Sequence, residues 1–367
     1  MKRKYGTMTY TTGAFLLSLM LILGGCASNA ADPGTAGTAA GGSSAAGTEA
    51  EQTPASADKL KVEASFYPMY EFARQVGGDL ADVKLLVPSG TEPHDWEPTP
   101  QDIARIEESD MLVYNGAGME SWIEQVLDAS SNTELLAVEA SDNIGVMKAS
   151  EEEGHDHAHE EAAAEEAHDH AHEGESEAAH DHDHEEASGH DHGGLDPHVW
   201  LSPRLAVQEV RNIQAAFAKA DPDHADQYKS NADAYAAKLE ALDSEFKEGL
   251  SGTKRTDFIT QHAAFGYLAR DYGLTQVPIA GLSPDQEPAA KEMSEVVEFA
   301  KKHDVKTIFF ETLVSSKVAE TIASEVGAET SVLNPLEGLT EEEMAAGDDY
   351  LSVMRANLEA LRTALNQ

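Results

Sequence analysis

The chain has 367 residues with 41% hydrophobic content, enough for packed cores in two domains of ordinary size. Lys and Arg total 25 against 67 Asp and Glu, and the resulting net charge of −42 disfavours nucleic acid and anionic lipid as partners while attracting cations. The single cysteine excludes an intramolecular disulfide.

Lys2, Arg3 and Lys4 precede an apolar run from Ala14 to Leu23 that is too short to span a bilayer as a mature helix, the pattern of a secretory signal. The chain continues Leu23-Gly24-Gly25-Cys26. Small residues before a cysteine resemble the lipobox of bacterial lipoproteins, which implies that residues 1–25 are removed and that Cys26 carries a diacylglycerol. Residues 26–58 are mainly Ala, Gly, Ser, Thr and acidic residues, which cannot bury enough surface to fold, so they read as a flexible tether. The folded protein is expected to start near Lys59.

Short β-rich runs then alternate with amphipathic segments. "KVEASF" from 61, "VKLLV" (83–87), "MLVY" (111–114) and "ELLAV" (134–138) read as strands, with helical patterns after the first three. The rhythm returns in "DFIT" (257–260), "QVPIA" (276–280), "VKTIFF" (305–310) and "TSVL" (330–333), each followed by a helical segment. Two sets of four predict an α/β protein of two lobes, 59–220 and 251–367, each with a mostly parallel four-stranded sheet flanked by helices. Between them, apolar residues at Ala225, Tyr228, Ala232, Tyr235, Leu239, Leu242 and Phe246 mark one helical face. With Asp221 as N-cap and Pro222 at the first helical position, a linking helix over 221–250 would run about 40 Å, enough to reach both lobes.

An unusual tract, 151–194, interrupts the first lobe. It holds eleven of the sixteen histidines (His155, His157, His159, His168, His170, His172, His180, His182, His184, His190 and His192) and seventeen carboxylates, with no Lys or Arg. Such a run cannot build a core, and its imidazoles suit several weak metal sites.

The other five histidines fall differently. His94 follows the strand "VKLLV", His262 follows "DFIT", and His198 lies between the tract and the next helix, whereas His224 and His303 sit on amphipathic helices and read as surface residues. In parallel α/β sheets, ligands bind beyond the carboxyl ends of the strands, where His94 and His262 are expected. Three imidazoles are a usual protein contribution to a four-coordinate zinc centre. For a fourth ligand two carboxylates also follow strands, Glu311 in "IFFETLVSS" and Glu337 in "VLNPLEGLT". Glu92 is a weaker candidate, and Asp95 and Asp196 are placed to orient neighbouring imidazoles. "NGAGMESW" (115–122) lacks the pattern of a phosphate cradle and reads as a strand-to-helix turn near the cleft.

In order along the chain, "PSGTEPHDWEPTPQDI", "YNGAGMESW", "DPHVWLSP", "ITQHAAFGYLARDYGL" and "LNPLEGLT" resemble the metal-binding solute receptors of ABC uptake systems, specifically the zinc receptors. The resemblance covers residues 59–367. It implies a long helix joining two α/β lobes, a metal held between them by His94, His198, His262 and a fourth carboxylate at Glu337, and zinc as cargo. Manganese receptors of that family tend to carry a carboxylate at the position of His262. Three imidazoles with one carboxylate suit zinc better than Mn²⁺, the weakest binder of the divalent series. The resemblance further implies an extracytoplasmic, lipid-anchored monomer that serves an ABC permease and its ATPase, performs no catalysis, and carries the His-rich loop as an accessory zinc collector. Alternative readings are a receptor for manganese or another divalent metal, a surface adhesin or zinc store, and a zinc hydrolase. Against the last, the chain has no HExxH and no evident general base.

Overall fold

The computed structural model describes residues 59–148 and 194–367. The expected signal, the tether with Cys26, and the His-rich tract up to residue 193 lie outside the described residues.

In chain order the elements are β1 (Leu60–Ala64), α1 (Tyr67–Gly77), β2 (Ala81–Leu85), α2 (Pro100–Glu107), β3 (Met111–Tyr114), α3 (Ile123–Ala129), β4 (Leu136–Glu139), α4 (Pro203–Ala220), α5 (Ala225–Gly249), β5 (Asp257–Thr260), α6 (Gly266–Tyr272), β6 (Thr275–Pro278), α7 (Ala290–Lys302), β7 (Thr307–Phe310), α8 (Lys317–Val326), β8 (Glu329–Val332), α9 (Glu341–Ala346) and α10 (Tyr350–Ala364). All eight strands pair in parallel, in two sheets ordered β2-β1-β3-β4 and β6-β5-β7-β8. In each sheet the first strand has its successor on one side and the third strand on the other, so the order reverses between β1 and β3 and again between β5 and β7. Such reversals open a crevice at the carboxyl ends of the strands.

The strand sequences follow from burial on both faces. Met111 and Val113 pack into one apolar cluster while Leu112 packs into another. Phe258 and Phe309 likewise join the first cluster, and their neighbours Ile259 and Ile308 join a separate one on the opposite face. A strand covered by helices on both sides gains from consecutive apolar residues, hence "MLVY", "DFIT" and "TIFF" instead of polar alternation. The shared cluster runs from Val62 to Leu365, so the inner faces of both lobes contribute to one core.

α5 spans 25 residues, about 38 Å at 1.5 Å per residue. Its buried face is Tyr228, Ala232, Tyr235, Ala236, Leu239, Leu242 and Phe246, and Ala225 alone of the expected stripe is only partly buried. Near its start Tyr228 meets Phe217 of α4, and near its end Phe246 meets Tyr272 of α6, each at 5.1 Å between rings. The start differs from expectation. Asp221 closes α4, a single 3₁₀ turn covers Pro222–His224, and the α-helix begins only at Ala225. The Asp221 carboxylate is taken by the His224 ring at 2.6 Å and the Tyr228 hydroxyl at 2.9 Å, so it caps no amide of α5. His224 is thus tied to a carboxylate, and His303 is exposed and stacked on Phe299 at 4.1 Å.

One buried group stands out on α4. Glu209 is fully buried and neither carboxylate oxygen has a protein hydrogen-bond partner. Burial, assisted by the charge of Glu120, pushes its pKa well above the carboxylate range, so the folded protein holds it neutral. A raised folded value means stability that is complete below the ordinary pKa near 4.3 and is lost as pH rises toward the folded value. An unsatisfied buried polar group costs roughly 1–3 kcal/mol. Glu209→Met is therefore expected to raise the thermal midpoint by about 2–8 °C, more at pH 8 than at pH 5. A fall, or an equal rise at both pH values, would show that Glu209 is not a strained neutral acid.

Candidate metal centre

The four principal candidates meet at one point. Glu337 Oε1 lies 3.1 Å from His94 Nε2, 3.2 Å from His198 Nε2 and 3.1 Å from His262 Nε2, and the last two nitrogens are 3.3 Å apart. All four residues are buried, none more than 1% exposed. A zinc ion with ligands at 2.0–2.1 Å has tetrahedral edges of about 3.3–3.4 Å, so these four spacings are close to those of a coordination shell. Among the described residues this is the buried cluster able to hold a metal ion.

Each of the four is positioned by the loop that carries it. Beyond β2 the parallel pairing with β1 continues through Leu86 N–H to Ala64 O (2.9 Å) and Val87 N–H to Ser65 O (3.0 Å), which carries the His94 loop over the strand ends. Gly90 N–H then donates to Leu339 O at 3.0 Å, setting that loop against the one that holds Glu337. Leu336 is left-handed (φ 58°), a conformation costly for a branched side chain and sustained only where neighbours fix it. Here they do: Asn334 Oδ1 accepts from Leu336 N–H at 2.8 Å, Asn357 bonds both the amide and the carbonyl of Asn334, and the Trp200 indole donates to Pro335 O at 2.8 Å. Asn115, at the end of β3, donates to Pro197 O at 3.0 Å beside His198. Its own amide, the Ser65 hydroxyl and Gly116 N–H converge on the buried Glu120 carboxylate. "NGAGMESW" is therefore the strand-to-helix turn the sequence suggests, with positive φ at Gly116, Ala117 and Gly118.

Carboxylates stand behind two of the rings. Asp196 Oδ1 accepts from His198 Nδ1–H at 2.8 Å and from its backbone N–H at 3.0 Å. Glu311, the other carboxylate that follows a strand, instead accepts from His262 Nδ1–H at 2.5 Å. Both imidazoles are thereby turned with Nε2 toward the common point. Glu92 also stands outside the cluster: both its oxygens accept from His94 N–H, at 3.0 and 3.1 Å. With the exposed Asp95 and Asp285 it forms a separate acidic group. Sequence reasoning did not single out Asn115, Glu120, Trp200, Asn334 or Asn357, whose roles lie in contacts between distant loops.

The charges are strongly coupled. Burial is the largest influence on His262, yet the charges and hydrogen bonds of Glu311 and Glu337 outweigh it and hold the ring well above the ordinary imidazole value. Burial is also largest for His198, where Asp196 and Glu337 reverse it and raise the value. At His94 burial wins and the value falls to about 4. For Glu337 burial works upward, and the facing histidines overcome it and hold the carboxyl well below its usual range. Glu92, desolvated and facing Glu337, is pushed up to about 8.

Two parallel α/β sheets joined by a long helix, with three inward imidazoles and one carboxylate on loops from both, define a two-lobed metal-binding solute receptor. Residues 62–364 match the family described as zinc-uptake complex component A, periplasmic (ZnuA), and the chain belongs to that family, whose members are uptake receptors and not enzymes. The chain is 48% identical over 308 residues to the high-affinity zinc uptake system protein ZnuA of Bacillus subtilis, covering 84% of this chain and 88% of that one. It is 43% identical over 309 residues to the zinc-binding lipoprotein AdcA of Streptococcus pneumoniae, covering 84% of this chain but only 56% of that longer protein. The crystal structure of the Zn(II)-bound ZnuA-like domain of S. pneumoniae AdcA superposes with a TM-score of 0.66 at 39% identity, covering 84% of this chain and all of that one.

Ring protonation gives a direct check of the site. In metal-free protein at pH 6, nitrogen NMR of the imidazoles is expected to show His94 neutral and His262 protonated on both nitrogens. A neutral His262 would mean that Glu311 and Glu337 do not set its charge.

Proposed function

We propose that this protein captures Zn²⁺ outside the cytoplasm at His94, His198, His262 and Glu337 and hands it to an ABC permease driven by a cytoplasmic ATPase. The observation that carries this reading is the convergence of three Nε2 atoms and Glu337 Oε1 at 3.1–3.3 Å in a site closed to water. Membership of the zinc-uptake family supports the role, and the donor set supports the cargo. Three imidazoles and one carboxylate favour zinc, whereas Mn²⁺ gains from more oxygen ligands.

On this reading Cys26 anchors the mature chain to the outer face of the membrane, and 26–58 tether a monomeric receptor to it. The name of the pneumococcal relative supports the lipid anchor. Among the described residues, no helix is long and apolar enough to cross a membrane. The tract 151–194 collects zinc at weak sites, because a run with no core-forming residues must be ordered on binding, at an entropy cost that a preformed cage has already met. The residues that flank it, Lys148 and Leu195, form an antiparallel bridge three residues before His198.

The deciding experiment is a competition titration of Zn²⁺ and Mn²⁺ into residues 58–367, with and without 151–194. One tight zinc-selective site should survive the deletion and extra weak sites should vanish, whereas loss of all tight binding would move the site into the tract. In the same assay Glu311→Ala should weaken zinc binding about 10–100-fold by releasing the His262 ring. Binding must also displace the proton that His262 holds, so affinity should drop as pH falls, by up to about tenfold per unit for each proton displaced. Calorimetry in buffers of different ionisation enthalpy would read that proton directly, and a buffer-independent heat would count against it.

A further inference from the structure

The hairpin that carries His198 is gripped from the opposite lobe by one phenol. Tyr267, on α6 of the second lobe, is fully buried. Its hydroxyl oxygen accepts from Met147 N–H at 2.8 Å and its proton goes to Asp196 O at 2.7 Å, so a single group bonds both legs of the hairpin. The legs also bond each other, through Asp196 N–H to Met147 O at 2.9 Å and the bridge between Lys148 and Leu195. Asp196 is the residue whose carboxylate orients His198. The approach is close: a Cβ added to Gly266 would lie 2.8 Å from Asp196 Oδ2, so only glycine there lets the carboxylate rest against α6.

The segment 262–267 therefore makes two attachments to the same hairpin. His262 supplies a ligand nitrogen 3.3 Å from that of His198, and Tyr267, five residues later, fixes the backbone behind His198. The Tyr267 contacts involve no atom of the four candidate ligands' donor groups. The guanidinium of Arg270 lies 5.1 Å from the centre of the Tyr267 ring and backs its outer side.

We propose that Tyr267 is a positioning residue for the cargo, a clasp between lobes that sets His198 against His262 before the ion arrives. The proposal rests on the zinc-receptor reading and adds to it a residue that touches no metal. A ligand pair held in register loses less freedom on binding, which favours affinity and slows release. Removing the hydroxyl leaves Met147 N–H and Asp196 O without this partner, lets the hairpin shift, and loosens the Asp196 grip on His198.

The test compares full-length wild-type protein with Tyr267→Phe, which keeps the buried ring and deletes only the hydroxyl. Zn²⁺ alone is titrated against a chelator tight enough to keep weak sites empty, and Co²⁺ is loaded separately for its visible ligand-field spectrum. The expected result is about tenfold weaker zinc binding and an altered Co²⁺ spectrum, with His303→Ala unchanged in both. A purely architectural tyrosine would lower the melting temperature without moving the spectrum. Zinc affinity within twofold of wild type with an identical Co²⁺ spectrum would overturn the proposal. If wild type itself shows no tight site, the zinc-receptor reading fails first and the clasp with it. Should the variant not fold, amide exchange in metal-free wild type decides: a protected Met147 N–H supports the clasp, and free exchange removes it.

Discussion

Four side chains from four separate loops bring one carboxylate oxygen within 3.1–3.2 Å of three imidazole nitrogens in a space closed to water, and much of the fold follows from that demand. Bare nitrogen lone pairs packed around an ionised oxygen repel one another, and burial keeps bulk solvent from screening them. In the metal-free protein the proton on His262 offsets this, held there by Glu311 and Glu337 together. A divalent cation at the same point replaces that proton with a larger charge. The site is thus already arranged for positive charge, and binding exchanges one kind for another.

Holding such a cluster shut requires rigid support. The apolar cluster that includes Val62 also includes Leu365, and α5 lies along it with Tyr228 against Phe217 at one end and Phe246 against Tyr272 at the other. Tyr350 crosses between the halves, donating to Trp200 O at 2.6 Å while its ring meets Phe72. A shared core of this kind opposes a wide hinge rotation, which would expose the aromatic faces along α5. Above the strand ends the loops also meet directly, as in Gly90 N–H to Leu339 O at 3.0 Å.

How much of this the sequence reveals depends on the range of the interaction concerned. The strands are legible, most clearly the central ones, which are short apolar runs set by local burial: "MLVY" and "DFIT" match β3 and β5 residue for residue, whereas the more exposed β8 begins one residue before "TSVL". His94 and His262 are legible because each follows a strand, where parallel topology places ligands, and His198 because "DPHVWLSP" is one of the motifs that carry the family resemblance. The division of labour between Glu311 and Glu337 is not. Both follow strands, and only the pairing of β5 with β7 shows that Glu311 lies behind His262. Tyr267, Asn115 and Glu209 give no periodic signal, since their roles depend on contacts between residues far apart in the chain. The start of α5 escaped for a local reason: Asp221 has the composition of an N-cap, but His224 and Tyr228 occupy its carboxylate.

The placement of Glu311 bears on selectivity. It comes directly after β7, next to the strand that delivers His262, so its carboxylate meets the back of that ring at Nδ1. Glu337 comes five residues after β8, long enough for the loop to turn through Leu336 and bring its oxygen over the front of the rings. The difference in loop length places one carboxylate behind the His262 ring and the other in front of it. Asp196 likewise spends its Oδ1 on His198. Two acids that could have supplied oxygen donors are kept behind imidazoles, leaving three nitrogens and one oxygen at the centre. Carboxylates in that position sharpen the basicity and aim of the nitrogens without adding the oxygen ligands that Mn²⁺ would need, so on the proposed zinc-receptor reading a preference for zinc would follow from how far along each loop its acid is placed.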